Sequence, residues 1–237
     1  MKRIWHISDT HSFHNQLIIP EGIDIVCFTG DESNYYETFK NEIETKDFLY
    51  WFAHLPITHK IMIAGNHSAY ANVYNREFRE LCKYHGIIYL ENEGIEIEGI
   101  KFWGSPVTPN FGNWYFMKDR GKLDKFWSYI PEDTDVLMVH GPCYGIGDLS
   151  YDMKNKLEFC GCKSLRRHVL ERIKPKLFLS GHIHDNNDIT NSGIIKLTKY
   201  PDITFSNATA VHDGKFDEGI KNHGNIFDYY ELGNKTI

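Results

Sequence analysis

Ile4-Trp5-His6-Ile7-Ser8-Asp9-Thr10-His11 passes from a β-branched and aromatic run straight into four polar residues, two of which are metal-ligand types. Four other segments make the same change. Ile23–Phe28 leads into Gly30-Asp31, Lys60–Ile63 into Gly65-Asn66-His67, Val136–Val139 into His140-Gly141, and Leu177–Leu179 into Gly181-His182-Ile183-His184. Short apolar runs bounded in this way read as buried strands. Between them, apolar spacing predicts helices over Tyr36–His54, Ala71–His85, Gly121–Tyr129 and Ser164–Ile173, the last stopped by Lys174-Pro175. Strand alternating with helix is the pattern of α/β layers.

Ile95–Trp103 alternates apolar and polar residues around Glu98-Gly99, which predicts a hairpin with one buried face. Further β signal at Ile194–Leu197, Ile203–Phe205 and Ile226–Glu231 adds enough strands for two packed sheets rather than one. No repeat, low-complexity linker or shift of composition divides the 237 residues, so the expectation is a single domain over residues 1–237. A hydrophobic content of 41% against 24% charged residues excludes the disordered and collagen-like classes.

No stretch approaches the roughly 20 apolar residues that cross a bilayer, and the polar opening Met1-Lys2-Arg3 lacks a signal-peptide core. A cytoplasmic protein without membrane association is expected. The 26 basic and 32 acidic residues leave a net charge of −6, with no Lys/Arg block able to track a phosphate backbone, so no strong nucleic-acid binding is expected. An anionic substrate would need a local source of positive charge. The five cysteines are odd in number and form no C-x-x-C framework, which speaks against structural disulfides and thiolate zinc sites.

In open α/β sheets ligands bind beyond the carboxyl ends of the strands, so the five polar segments are expected to converge. Their inventory is Asp9, His11, Asp31, Asn66, His140, His182 and His184. Carboxylates, an amide and imidazoles without thiolate suit divalent transition metals: Mn²⁺ is the expected ion, and Fe, Zn²⁺ or Ni²⁺ fit the same donors. Seven groups exceed the need of one ion. A carboxylate bridging two ions roughly 3.5–4 Å apart would use them all in a hydrolytic two-metal centre.

Two divalent ions bring four positive charges against the two negative ones of Asp9 and Asp31, so the centre stays about +1 even with a bridging hydroxide. Metal coordination lowers the pKa of water from 15.7 toward roughly 7, which supplies a hydroxide near neutral pH and makes a protein nucleophile unnecessary.

The ordered blocks D-x-H, G-D, G-N-H, H and G-H-x-H resemble those of the calcineurin-like metallophosphoesterases, and they span Asp9 to His184. Gly104-Ser105-Pro106, Asn113-Trp114-Tyr115-Phe116, His140-Gly141-Pro142 and Gly145-Ile146-Gly147-Asp148 are similar to the small MPPED-type branch, related to class III cyclic-nucleotide phosphodiesterases. The resemblance implies a four-layer α/β/β/α sandwich of two mixed β-sheets flanked by helices. It also implies hydrolysis of cyclic nucleotides or other small phosphodiesters. By the family's pattern Asp9, His11, Asp31 and His184 would hold one metal, and Asp31, Asn66, His140 and His182 the other, with Asp31 as the bridge. His67 matches the family histidine near the leaving group, which protonates its oxygen or polarises the phosphate.

The remaining features have plainer readings. His6, His14, His54, His59, His85, His168, His212 and His223 are taken as ordinary satisfied histidines, and Asn207-Ala208 as structural support. Asn110, Trp114 and Arg120 fit either a base-stacking, phosphate-contacting wall or a surface loop capped by a packed Trp. Cys143–Cys162 fits a mobile lid or an ordinary excursion loop. Where phosphoprotein phosphatases carry an Arg clamp after G-D, this chain has Glu32-Ser33-Asn34, which lowers the case for a phosphoprotein substrate. A nuclease or phosphomonoesterase using the same ions is the alternative enzyme, and a metallophosphoesterase-fold scaffold binding a protein partner the alternative without catalysis.

Overall fold

Ile25, Val26, Cys27 and Phe28 are all fully buried, yet they alternate in what they touch: Ile25 and Cys27 enter one apolar cluster, Val26 and Phe28 another. A strand covered on both faces belongs to a sheet sandwiched between layers. The computed structural model, which describes residues 1–152, 154–213 and 218–229, builds two such sheets.

In chain order the strands are β1 (Lys2–Ile7), β2 (Ile25–Phe28), β3 (His59–Met62), β4 (Ile88–Tyr89), β5 (Glu93–Ile97), β6 (Ile100–Ser105), β7 (Thr108–Pro109) and β8 (Met117–Lys118). They continue as β9 (Val136–Val139), β10 (Leu149–Tyr151), β11 (Leu157–Phe159), β12 (Leu177–Ser180), β13 (Gly193–Leu197), β14 (Tyr200–Asn207) and β15 (Asn225–Tyr229). One sheet has the order β15-β1-β2-β3-β4, parallel except for the antiparallel edge β15. The other has the order β13-β14-β12-β9-β6-β5, with a parallel centre and antiparallel edges. Both are mixed, and β7–β8 and β10–β11 form two small outlying pairs. The β signal at Ile226–Glu231 is met by β15, with residues 230–231 outside the described residues.

Three apolar clusters map onto the three interfaces of a four-layer stack. Val26, Phe28 and Met62 of the first sheet pack with Phe48, Leu49 and Phe52 of helix α1 (Thr38–Ala53). Ile4, Ile25, Cys27 and Ile61 face Phe102, Val136, Met138, Leu177 and Leu179 between the sheets. Leu137, Val139 and Phe178 lie with Leu123 and Trp127 and with Leu165 and Val169. At roughly 1.5–3 kcal/mol per fully buried large side chain, the period-2 alternation is what holds each sheet in register between its neighbours.

Helix boundaries depart from the sequence reading where side chains compete for backbone groups. The expected helix 71–85 is two, α2 (Ala69–Val73) and α3 (Asn75–Tyr84), separated at Tyr74. There Asn75 Nδ2 donates to the Ala71 carbonyl. α4 spans Arg120–Trp127, and α5 (Lys163–Arg167) continues as a π-helical stretch over His168–Ile173 that ends at Lys174, φ +50°, just before Pro175. In the β5–β6 turn Glu98 and Gly99 have φ of +51° and +80°, the two positive values a tight hairpin turn of matching twist requires.

Candidate metal centre

The ends of four strands, β1, β2, β3 and β12, open onto one cleft of about 170 Å³, His140 at the end of β9 lies against Asp31 and Asn66 beside it, and the loops beyond the strands are tied edge to edge. Asp9 N donates to Gly30 O, His11 N to Asp31 O, Gly181 N to His140 O and Ala208 N to Ser180 O, each at 2.9–3.2 Å. Ser8 N donates to Ala208 O and Ala210 N to Ser8 O, so the end of β1 is joined to the end of β14 across the sandwich.

The loops gather the carboxylates and imidazoles expected from the sequence into two adjacent groups. Asp9, His11 and His184 form one and Asp31, His140 and His182 the other, with the donor atoms of each group within 4.8 Å of one another. Asn66 joins the second through Oδ1, 3.0 Å from His140 Nε2. His182 and His184 thus serve different groups although one residue separates them. The left-handed φ of +70° at His182 is the local backbone that turns the two rings apart. Asp9, His11 and Asp31 also have positive φ, an uncommon conformation for residues with side chains.

Two glycines in the motifs make room for ligands by close approach. A Cβ at Gly181 would collide with Asp9 Oδ2 and Ser8 Oγ. One at Gly65 would collide with Asp31 Oδ1 and sit 2.6 Å from His140 Cε1. The backbone runs directly beneath the donor atoms, as a compact cation site demands.

Hydrogen bonding fixes which imidazole nitrogen is offered. His140 Nδ1 donates to the Thr29 carbonyl at 2.7 Å, and His11 Nδ1 to the Ser33 carbonyl at 3.1 Å, so Nε2 of each is the nitrogen that would face a metal. His140 Nε2 then lies 3.2 Å from Asp31 Oδ2 and 3.0 Å from Asn66 Oδ1. A nitrogen lone pair and two acceptor oxygens converge there with no donor among them, so the cluster calls for a cation or a proton. Burial opposes charge on His140, but the Asp31 carboxylate lifts it to about 9. Burial likewise opposes charge on Asp9, yet the hydrogen bond from His184 at 3.1 Å holds that carboxyl at about 2. Asp31 is drawn well below the usual carboxylate range by His140, against the effect of its burial. Burial pushes His11 and His182 down to about 3, so both are neutral and ready to ligate. The donor set fits divalent transition metals bound as two neighbours.

His67 stands beside this cluster. Its main-chain N–H donates to Asp31 Oδ1 at 2.7 Å, and its ring meets His11 edge-on at 4.8 Å and the Trp114 indole at 4.2 Å. Trp114 therefore lines the cleft, as does Phe111, whose ring is 5.1 Å from His182. Asn110 and Arg120 do not. Arg120 donates to the Gly161 and Cys160 carbonyls, so its guanidinium braces the chain instead of the cleft. The Cys143–Cys162 segment, in which Met153 lies outside the described residues, carries the β10–β11 hairpin and is pinned at its root. Asp148 there accepts from Gly145 N and Gly161 N, and Ser150 reaches the cleft. Asn207 Nδ2 donates to Ile183 O at 2.9 Å and Gly147 O at 3.2 Å, supporting the Gly181–His184 loop.

A buried polar network beneath His67 and Asp31 escapes the sequence reading. Asn41 of α1 donates to the His67, Tyr35 and Ser33 oxygens and accepts from Tyr70 N. Glu32 accepts from Thr45 Oγ1 and Ser68 Oγ, and Ser68 in turn accepts from Gly65 N. The available signal was that Asn41 and Thr45 share the buried stripe of α1 with Phe48 and Phe52, where polar residues persist only if paired. Phe111 and Asp213, which also line the cleft, gave no such signal.

Comparison with known proteins places these features in context. The sequence model described as calcineurin-like phosphoesterase matches residues 2–186, which covers every candidate ligand. Metallophosphoesterase domain-containing protein 1 of Homo sapiens and of Mus musculus is 32% identical over 213 residues, covering 79% of this chain and 62% of the relative. The chain thus spans under two thirds of those relatives' length. A UPF0046 protein of Caenorhabditis elegans is 32% identical over 202 residues, covering 79% of this chain and 70% of its own. A solved crystal structure shares the fold with a TM-score of 0.63 at 12% identity, over 87% of this chain and 90% of that one.

Proposed function

The chain belongs to the calcineurin-like phosphoesterase family, and on that premise we propose that it is a metal-dependent phosphodiesterase acting on cyclic nucleotides or similar small phosphodiesters. Asp9, His11, Asp31 and His184 would hold one divalent ion and Asp31, Asn66, His140 and His182 a second, with Mn²⁺ the first choice. When bound, the pair supplies Lewis-acid charge and an activated water for in-line attack on phosphorus.

The observation that carries the diester reading is the charge of the cleft wall. Among the described lining residues there is no Lys or Arg, and Asp213 adds a carboxylate. A phosphomonoester dianion gains from an Arg fork, whereas a monoanionic diester needs less compensation. A cleft of about 170 Å³ favours small esters over a protein segment.

The chain's own contribution is position and proton control. Thr29 O and Ser33 O hold the imidazoles of His140 and His11 in one tautomer, so they present Nε2 to the ions without rearrangement. His67, set against Asp31 and the cleft, is placed to give a proton to the leaving oxygen or to polarise the scissile phosphate. The test is turnover of bis-p-nitrophenyl phosphate and of 2′,3′- and 3′,5′-cyclic nucleotides with Mn²⁺. Activity on diesters above that on p-nitrophenyl phosphate and single-stranded oligonucleotides supports the reading, and no turnover with any metal and diester defeats it.

A further inference from the structure

We propose that Trp114 is the positioning residue of His67: its indole face fixes the orientation of the imidazole over the cleft. The inference rests on the reading of His67 as the group that acts at the leaving oxygen or phosphate.

The main chain of His67 and its ring are held by different parts of the molecule. Below, the N–H donates to Asp31 Oδ1 at 2.7 Å and the carbonyl accepts from the buried Asn41 Nδ2 at 2.5 Å. These bonds fix the backbone and leave two side-chain torsions, of which χ2 is broad for an imidazole. The polar contact of the ring is a long one, Nδ1 to Asn34 O at 3.3 Å. Among the described ring contacts of His67 the closest is Trp114, with centroids 4.2 Å apart and planes at 32°. His11 closes a second side edge-on at 4.8 Å. A broad indole face at this distance and tilt restricts the imidazole's χ2 where a rounded side chain would not.

Trp114 is itself held from outside. Tyr36 presents its ring to the indole at 5.6 Å and 80°, and Asn113 Nδ2 donates to Tyr36 OH at 3.2 Å. Tyr115 N donates to Asn66 O at 3.3 Å, so the loop is anchored to the residue before His67. The half-buried indole is thus clamped between the α1 approach and the Gly65-Asn66-His67 turn. Such a clamp serves orientation more directly than general stability.

The test compares wild type with Trp114→Ala, Trp114→Leu and Trp114→Phe, each also in a His67→Ala background. The substrates are a nucleoside 2′,3′-cyclic phosphate and bis-p-nitrophenyl phosphate, with Mn²⁺ content measured throughout. Misorientation of a catalytic group far exceeds the effect of a lost wall contact, so Trp114→Ala and Trp114→Leu are expected to lower kcat by about 10-fold or more with KM little changed. Trp114→Phe, which keeps a flat face, is expected to restore most of it. In the His67→Ala background the same changes are expected to alter kcat by less than about twofold. In the metal-free protein the three-bond Hβ–Cδ2 couplings of His67, which report χ2, are expected to show one fixed ring orientation in wild type and Trp114→Phe and rotational averaging in Trp114→Leu.

A rise in KM at unchanged kcat would make Trp114 a platform for the substrate's base and overturn the proposal, as would full multiplicative losses in the double variants. Couplings that ignore the substitutions overturn it too. Wild-type protein inactive on every diester would sink the functional reading alone, because the couplings still decide whether the indole orients the ring.

Discussion

His6 is fully buried on β1, and it gives the fold a measurable dependence on pH. Its Nδ1 lies 2.7 Å from Ser206 Oγ on β14 of the opposite sheet, and its Nε2 2.9 Å from Thr29 Oγ1 beyond β2. Asn225 Nδ2 of β15 also donates to Ser206 Oγ, so one polar thread crosses the sandwich. Burial pushes the imidazole from 6.5 down to about 3. Because the folded value is depressed, the unfolded chain binds the proton first. The neutral ring's contribution is complete above 6.5 and is lost as pH falls toward 3. Between pH 7 and pH 5 the shift amounts to about 2 kcal/mol of unfolding free energy from this residue alone. Urea unfolding of the chelator-treated protein at the two pH values measures it, with His6→Gln as the comparison. His11 and His182 shift in the same direction and remain in both proteins, so the wild type is expected to lose about 2 kcal/mol more than the variant. Equal losses in the two proteins would refute the burial argument for His6.

Asp31→Ala is expected to abolish tight Mn²⁺ loading and lower diesterase turnover by roughly 10³-fold or more, because on the proposed arrangement it removes the carboxylate that would serve both ions; metal analysis after dialysis and a bis-p-nitrophenyl phosphate assay check both. His67→Ala is expected to keep the metals and lower kcat by roughly 10²–10⁴-fold, read by the same two measurements. Gly181→Ala is expected to push Asp9 and Ser8 off their positions, lowering the unfolding free energy by roughly 1–3 kcal/mol and the metal content with it, checked by denaturant melts with and without Mn²⁺.

The layered fold was legible because its strands are buried on both sides. Runs such as Val136–Val139 and Leu177–Leu179 leave no polar face, and that continuous apolar signal is what two central sheets impose. The two-sheet arrangement followed from the β5–β6 hairpin and the late strands. Legibility failed where the backbone leaves the regular helical repeat without a mark in the apolar spacing, as in the α2–α3 break beside Asn75 and the π-helical run before Lys174. In the cleft, motif residues at strand ends were readable one block at a time. The Asn41–Glu32–Ser68 network was not, since it joins residues 41, 32 and 68 through a helix whose inner face looks like core.

Backbone strain is the least readable feature of the centre and the one that best explains its shape. Asp9, His11, Ser12, Asp31 and His182 all lie at positive φ, a conformation that costs roughly 1–2 kcal/mol for a residue with a Cβ. Asp and His tolerate it better than most residues, but nothing in the apolar pattern marks these positions for it. They persist because adjoining loops over-determine them: Asp9 N on Gly30 O, His11 N on Asp31 O, Ser12 N on Glu32 O, and His182 N on both oxygens of Asp9. Each of these bonds links one strand end to the next, so the strain at one ligand is borne by the loop that carries another. A substitution that loosens any one loop should therefore disturb ligands in both groups, which makes the two donor sets a single mechanical unit.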